Sequence, residues 1–133
     1  MPTVERVEQL VAMVESGEHA EAIAAFYTED ATMQENLDPP RAGRDLLVAH
    51  ETNVLKGVKQ VLSRCMRPVF INGDFAVIRW QFEFEKTDGR WLRMDELAYQ
   101  HWRGDLIATE RFYYDPKQLR PEVPNATATG NAG

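Results

Sequence analysis

The chain has 133 residues, a formal net charge of −6 at pH 7 and a sequence pI of about 5.1, which favours one acidic domain with one hydrophobic core. The acidic balance disfavours nucleic acid as a partner, because neutralising phosphates requires clustered Lys and Arg, and here the Arg residues are scattered. The single cysteine, Cys65, excludes an internal disulfide and favours the cytoplasm, although an exported protein without disulfides would have the same pattern. No apolar run approaches the ~20 residues that cross a bilayer, so no membrane partner is expected.

The chain begins with a pattern that predicts a helical hairpin. Apolar residues recur at three- and four-residue spacing from Val4 to Val14, with Thr3 as the N-cap and Ser16-Gly17 as the end of the helix. A second helix is predicted over residues 18–27, where early acidic residues suit the positive end of the helix dipole.

The next segment predicts a short strand, a loop and a third helix. Residues 31–35 have a strand pattern, and Asp38-Pro39-Pro40 must be a loop because proline lacks the backbone donor that a sheet or helix needs. A helix is predicted over residues 44–56, ended by Gly57.

After Gly57 the apolar period changes to alternation, which predicts an antiparallel meander. The strands are expected at residues 59–71, 75–86, 91–102 and 106–114, separated by turn signals at Asn72-Gly73, Asp88-Gly89 and Arg103-Gly104-Asp105. Helices followed by hairpins give an α+β class in one domain, residues 1–116. The small, polar residues 117–133 are predicted to be a disordered tail.

Three motifs resemble the superfamily of nuclear transport factor two, ketosteroid isomerase and the SnoaL-like polyketide cyclases. They are Phe26-Tyr27-Thr28-Glu29-Asp30-Ala31-Thr32, Pro40-Arg41-Ala42-Gly43-Arg44, and Gly104-Asp105-Leu106-Ile107 with Arg111-Phe112-Tyr113-Tyr114-Asp115. The resemblance implies a cone-shaped, curved antiparallel sheet wrapped around the helical hairpin and the third helix. It also implies a pocket for a small hydrophobic ligand, and a homodimer formed through the outer face of the sheet.

The same resemblance places Glu35 where ketosteroid isomerase keeps its carboxylate base. A carboxylate at the mouth of an apolar pocket can move a proton between two carbons, so Glu35 is the predicted catalytic residue; the alternative is a solvated side chain before a loop. Leu10 and Ala98 fall where the isomerase has its two hydrogen-bond donors. Without those donors a steroid-type isomerisation is not expected.

Strand parity supplies the other ligand-binding candidates, because residues two apart share a face of the sheet. The predicted inward residues include Glu96 and Gln100 on one strand and Arg111 and Tyr113 on the last, so that Glu96 and Arg111 face each other. The alternative is an exposed pair on the opposite face, since a one-residue bulge would reverse the parity. With the predicted parity, the outer face carries Tyr99, Phe112 and Tyr114, whose aromatic rings favour a dimer.

His50 is the remaining ligand-binding candidate, because it shares the apolar face of the third helix, which is expected to point to the interior. The alternative is a structural, partly buried histidine. The three His residues lack the spacing of metal ligands, and no phosphate loop or nucleotide motif occurs, so neither a metal nor another cofactor is expected.

Two functions remain open at this stage. The first is a cofactor-independent enzyme that transfers protons in an isomerisation, cyclisation or dehydration of a hydrophobic carbonyl-type metabolite. The second is a non-catalytic module that uses the same pocket to hold a ligand or the same surface to dimerise. The missing donors favour the module, and the carboxylate at position 35 favours the enzyme.

Overall fold

Three helices and six strands follow one another within residues 1–119, the part of the chain that the computed structural model describes. The helices are α1 (Val4–Glu15), α2 (His19–Phe26) and α3 (Arg44–Leu55), and a 3-10 helix covers Pro116–Leu119. The strands are β1 (Tyr27–Glu35), β2 (Arg41–Ala42), β3 (Val58–Asn72), β4 (Phe75–Lys86), β5 (Trp91–Arg103) and β6 (Leu106–Tyr113). The α+β class is therefore confirmed.

The strands form one sheet in the order β2-β1-β6-β5-β4-β3. Strands β3 to β6 make the predicted antiparallel meander, but β1 pairs with β6 in parallel. The sheet is therefore mostly antiparallel, as predicted, and the pairing of β1 with β6 is its one parallel junction among residues 1–119. The reason is topological, since β1 leaves the helical half of the chain and joins the meander at its far edge.

The first strand is longer than its sequence pattern predicts. Phe26 ends α2, and Tyr27 already has extended backbone angles, so β1 begins four residues before the predicted Ala31. The two-residue strand β2 was not predicted; it pairs with β1 through Thr32↔Ala42 and Met33↔Arg41. This short strand brings the residues after the proline loop back to the cavity described below.

The helices pack against one face of the sheet to form the core. Helix α1 is capped by Thr3, whose hydroxyl accepts a hydrogen bond from the Arg6 amide at 3.0 Å. Its buried face contains Val7, Leu10 and Val11, each of which contributes roughly 1.5–3 kcal/mol by leaving water. At the far end Gly17 has a φ of +90°, which a glycine adopts without strain.

The last described residues pack against β5. The side chain of Gln118 accepts a hydrogen bond from the Asp95 amide at 2.7 Å and donates one to the Asp95 carbonyl at 3.1 Å. Residues 120–133, the rest of the predicted tail, lie outside the described residues. Between Met1 and Leu119, no helix combines the length and apolar character needed to span a bilayer.

Candidate active site

A cavity of about 410 Å³ lies between the helices and the inner face of the sheet. Much of its wall is apolar, and three aromatic rings follow one another along β4. The ring centroids of Trp80 and Phe82 are 5.7 Å apart, and those of Phe82 and Phe84 are 6.1 Å apart. A cavity with this lining suits a small, largely apolar molecule held by a few polar groups.

The first polar group is the carboxylate of Glu35, at the end of β1. It accepts hydrogen bonds from the Tyr114 hydroxyl at 2.6 Å and from Arg41 Nη2 at 2.8 Å. Burial raises the pKa of Glu35, but the hydrogen bonds from Tyr114 and Arg41 and the charges of Arg41 and His50 outweigh it and leave the pKa below its usual value. Glu35 is therefore ionised at neutral pH.

Local structure fixes the three members of this group. Arg41 is held by its pairing with Met33 across β1 and β2, immediately after the proline loop. Asn36 follows Glu35 with a φ of 50°, and its side-chain oxygen accepts a hydrogen bond from the Tyr114 amide at 3.0 Å. The turn at Asn36 thereby places the Tyr114 phenol on the Glu35 carboxylate.

The second carboxyl group belongs to Glu96 on β5, opposite Trp80 in the register of β4 and β5. Its side chain lines the cavity, only 5% of the residue is exposed, and it has no hydrogen-bond partner among residues 1–119. Burial raises the pKa of Glu96 to about 9, with the charges of Glu110, Glu35 and Glu51 adding to the effect. Glu96 is therefore neutral at pH 7 and can donate a proton.

A third carboxyl group, Glu110 on β6, lies in a hydrogen-bonded network. Its two oxygens accept hydrogen bonds from the Tyr27 hydroxyl and, at 2.7 Å, from Gln100 Nε2. The Gln100 oxygen in turn accepts one from Trp102 Nε1 at 3.0 Å. Burial raises the pKa of Glu110 to about 7, although the Tyr27 and Gln100 hydrogen bonds oppose it. The network fixes the position of Gln100 and Glu110 in the cavity wall.

Four of the predicted site residues line this one cavity: Glu35, His50, Glu96 and Gln100. The structure therefore brings together the proposed base and the β5 residues chosen from strand parity. Their roles in binding or chemistry stay predictions.

The parity predicted for the last strand is wrong, so Arg111 and Tyr113 do not line the cavity. Trp102 pairs with Ile107, whereas His101 pairs with Thr109, which leaves Ala108 as an extra residue. This bulge reverses the faces beyond it, and Arg111 instead donates a hydrogen bond from Nε to the Asn36 carbonyl at 2.9 Å. The proposed Glu96–Arg111 pair therefore does not form.

The same bulge turns Glu110, Phe112 and Tyr114 toward the cavity. Phe112 and Tyr114 were predicted to lie on the outer face together with Tyr99. Of these three aromatic residues, only Tyr99 lies there. Arg41, Tyr27 and Tyr114 were missed as site residues because their positions depend on the bulge and on the pairing of β2. The position of the bulge could not be predicted from the alternation of apolar residues in the sequence.

The polar side chains that line this cavity include carboxyl, phenol, imidazole and guanidinium groups. Within residues 1–119, no group of three or more His, Cys, Asp or Glu side chains is arranged to hold a metal ion.

Comparisons with known proteins agree with the architecture. A family model described as a SnoaL-like domain matches residues 7–110. No curated protein matches the chain. A candidate SnoaL-like polyketide cyclase from Mesorhizobium loti has a similar structure, with 21% identity, coverage of 86% of this chain and 100% of that chain, and a TM-score of 0.72.

Two further solved structures contain small molecules. A protein with a ketosteroid isomerase-like fold from Catenulispora acidiphila, in complex with trimethylamine, is 16% identical over 85% of this chain and 87% of its own, with a TM-score of 0.72. TerC, co-crystallised with polyporic acid, is 14% identical over 90% of this chain and 95% of its own, with a TM-score of 0.74. At these identities the likeness shows the shared fold.

Proposed function

Since the chain belongs to the family of SnoaL-like domains, we propose that its cavity is the active site of a cofactor-independent enzyme. The enzyme transfers protons in an isomerisation, cyclisation or dehydration of a hydrophobic carbonyl-type metabolite. Glu35 is the base, Glu96 is the acid, and Gln100 and His50 orient the ligand.

One observation carries this proposal: two carboxyl groups with contrasting surroundings, Glu35 and Glu96, line the same cavity. Hydrogen bonds from Tyr114 and Arg41 favour the ionised form of Glu35, whereas burial and nearby carboxylates favour the neutral form of Glu96. Two titratable groups whose pKa values are driven apart by their surroundings are typical of a general base and a general acid.

The chemistry follows from these charge states. Glu35 takes a proton from a carbon next to the substrate carbonyl, and Glu96 gives its proton to an oxygen elsewhere in the substrate. In a dehydration that oxygen leaves as water, and in a cyclisation it becomes a hydroxyl group. The apolar walls exclude water and strengthen each electrostatic interaction.

The small molecules in related structures support the use of the cavity for ligands. Polyporic acid, found with TerC, is a rational first compound for thermal-shift screening. For the chemical step we suggest 2-tetralone, an apolar bicyclic ketone with exchangeable protons beside its carbonyl. Exchange of these protons for solvent deuterium measures proton abstraction directly, without knowledge of the natural substrate.

Glu35→Gln keeps the side-chain shape but removes the proton acceptor, so exchange into bound 2-tetralone should fall by the ~10²–10⁴-fold typical of a lost general base. Glu29→Gln makes the same chemical change at an exposed position of β1 and is the matched control. Equal exchange rates in the wild type and Glu35→Gln would refute the catalytic role. Retained binding with equal rates would favour a non-catalytic binding module.

We also propose that the outer face of the sheet forms a homodimer. Tyr99 lies there and is 44% exposed, and Phe75 stacks between Tyr99 and His101, with centroid distances of 5.7 and 4.7 Å. An exposed group of stacked rings is typical of a surface that is covered by a partner. We propose the cytoplasm as the location, because a single cysteine cannot form an internal disulfide and this fits a reducing compartment.

A further inference from the structure

Arg41 has more hydrogen-bonding capacity than its contacts use. Among residues 1–119, Nη2 is its one guanidinium nitrogen with a partner, the Glu35 carboxylate at 2.8 Å. Nε is buried without a partner, and Nη1 has no partner although it is not fully buried. A buried donor without an acceptor is costly, so an arginine placed only to hold Glu35 would be expected to use more of its donors.

Arg41, which carries these donors, lines the cavity beside the proposed base. Nη1 and Nη2 are neighbouring nitrogens of one rigid, planar group. Because Nη2 is fixed on the Glu35 carboxylate, an acceptor bound by Nη1 must lie next to that carboxylate. Nη1 and Nη2 are both bonded to one carbon, Cζ. In a carbonyl compound the oxygen and the α-carbon are likewise both bonded to the carbonyl carbon, so the oxygen can contact Nη1 while the α C–H group contacts the Glu35 carboxylate.

We propose that Arg41 is a further catalytic residue, which binds the substrate's carbonyl oxygen through Nη1 and stabilises the enolate that forms when Glu35 removes the neighbouring proton. This inference rests on the proposed function. It supplies the donor that Leu10 and Ala98 cannot provide, from a strand that the sequence pattern did not reveal.

Proton abstraction by Glu35 converts the substrate carbonyl group into an enolate. The C–H bond breaks, its proton goes to the Glu35 carboxylate, and its electron pair forms a carbon–carbon double bond while the carbonyl electrons move onto oxygen. One negative charge thus passes from Glu35 to the substrate oxygen. Nη2 of Arg41 lies 2.8 Å from the Glu35 carboxylate, and Nη1 would contact the substrate oxygen, so the cation would remain beside the negative charge throughout the step.

A donor at Arg41 leaves Glu96, on β5, free for a second oxygen atom. The cavity can then bind the carbonyl oxygen at Arg41 and a hydroxyl or second carbonyl oxygen at Glu96. We therefore assign the substrate class as hydrophobic hydroxyketones or diketones, in which one oxygen stabilises the enolate and the other receives a proton. A simple ketone would use half of the site.

The first test is deuterium exchange into 2-tetralone. Arg41→Met should lower the turnover number for exchange by about 10²–10³-fold, the effect of losing one oxyanion donor, with little change in KM. Arg41→Lys keeps the charge but loses the planar fork, so at least a tenfold loss should remain. Arg103→Met removes the same charge from a side chain that is 63% exposed and pairs with Asp30, and it should exchange at the wild-type rate.

The second test measures charge stabilisation without turnover. Glu35→Gln mimics the enzyme after proton transfer, because residue 35 is then neutral while Arg41 keeps its charge. We expect 4-nitrophenol, followed by the absorbance of its ionised form, to have a lower apparent pKa when bound to Glu35→Gln than to Glu35→Gln/Arg41→Met, by about one unit or more. A purely structural role for Arg41 would not change ligand ionisation in this way.

The outcomes separate the two proposals. If exchange depends on Glu35 but neither exchange nor phenol ionisation depends on Arg41, the assignment of Arg41 is wrong and the proposed function stands. If exchange is the same with and without the Glu35 carboxylate, the proposed function fails, and the Arg41 step fails with it. Should Arg41→Met not fold, Arg41→Lys decides the exchange test and Glu35→Gln/Arg41→Lys the ionisation test.

Discussion

Glu96→Gln should stabilise the folded protein at neutral pH and weaken catalysis. In the folded state the Glu96 carboxyl keeps its proton because it is buried and has no hydrogen-bond partner between Met1 and Leu119, and its pKa is raised to about 9. In the unfolded chain the same group ionises near its usual pKa of 4.5. Unfolding at pH 7 therefore releases a proton, and this release favours the unfolded state. A glutamine has the same shape and no proton to release.

The magnitude follows from the linkage between proton binding and folding. One pKa unit corresponds to about 1.4 kcal/mol, so holding the Glu96 proton at pH 7, where the unfolded chain has lost it, costs about 3 kcal/mol. Below pH 4.5 the folded and unfolded states both hold the Glu96 proton, so the raised pKa does not lower the free energy of unfolding. As the pH rises from 4.5 toward 9, only the folded state holds the proton, and the free energy of unfolding falls. The advantage of Glu96→Gln should be near zero at pH 4 and should grow by about 1.4 kcal/mol per pH unit above pH 5.

Urea unfolding at pH 5, 6, 7 and 8, for the wild type and Glu96→Gln, measures this difference in the free energy of unfolding. Glu29→Gln, at an exposed position of β1, controls for the loss of one carboxyl group. A difference between wild type and Glu96→Gln that does not change with pH would refute the reasoning. Loss of turnover of a hydroxyketone or diketone substrate in the more stable variant, with deuterium exchange into 2-tetralone retained, would show that the cavity keeps this proton at the expense of stability.

Three further changes have defined outcomes. Tyr114→Phe removes a hydrogen bond that lowers the pKa of Glu35, so this pKa should rise. On acidification, the rate of deuterium exchange should therefore begin to fall at a higher pH than in the wild type, and an unchanged pH dependence would contradict this. A chain ending at Lys117 loses Leu119 from the cavity wall, so polyporic acid or another ligand found by screening should bind several-fold more weakly in calorimetry, and unchanged affinity would oppose this. Tyr99→Glu should yield monomers in sedimentation while the melting temperature stays within a few degrees, whereas a wild type that is monomeric at micromolar concentration would exclude the dimer.

Sequence reasoning predicted those parts of the fold that depend on local signals. Strand β4 has the predicted limits, residues 75–86, because its alternating apolar residues lie between turns that contain Gly73 and Gly89. The cap of α1 was equally clear, since Thr3 is a preferred N-cap before an apolar period. Local chemistry alone determines both features.

The parts that could not be predicted depend on long-range pairing. Arg41 reaches Glu35 because a two-residue strand folds back on β1, and so short a strand has no periodic pattern. The parallel pairing of β1 with β6 joins residues far apart in the chain, such as Glu35 and Phe112. The neutral state of Glu96 likewise depends on burial by several elements, although its inward orientation could be read from β5 alone.

The bulge at Ala108 determines which side chains of β6 reach the cavity. Deleting Ala108 would make Ile107 and Thr109 neighbours with their present partners, so Glu110, Phe112 and Tyr114 would still face inward. Keeping the residue but pairing it regularly with β5 would exchange the faces beyond it and bring Arg111 and Tyr113 inward instead. The charge of the cavity wall therefore depends on the backbone conformation at one alanine, and a change that straightened β6 without shortening it would open a route to ligands of the opposite charge.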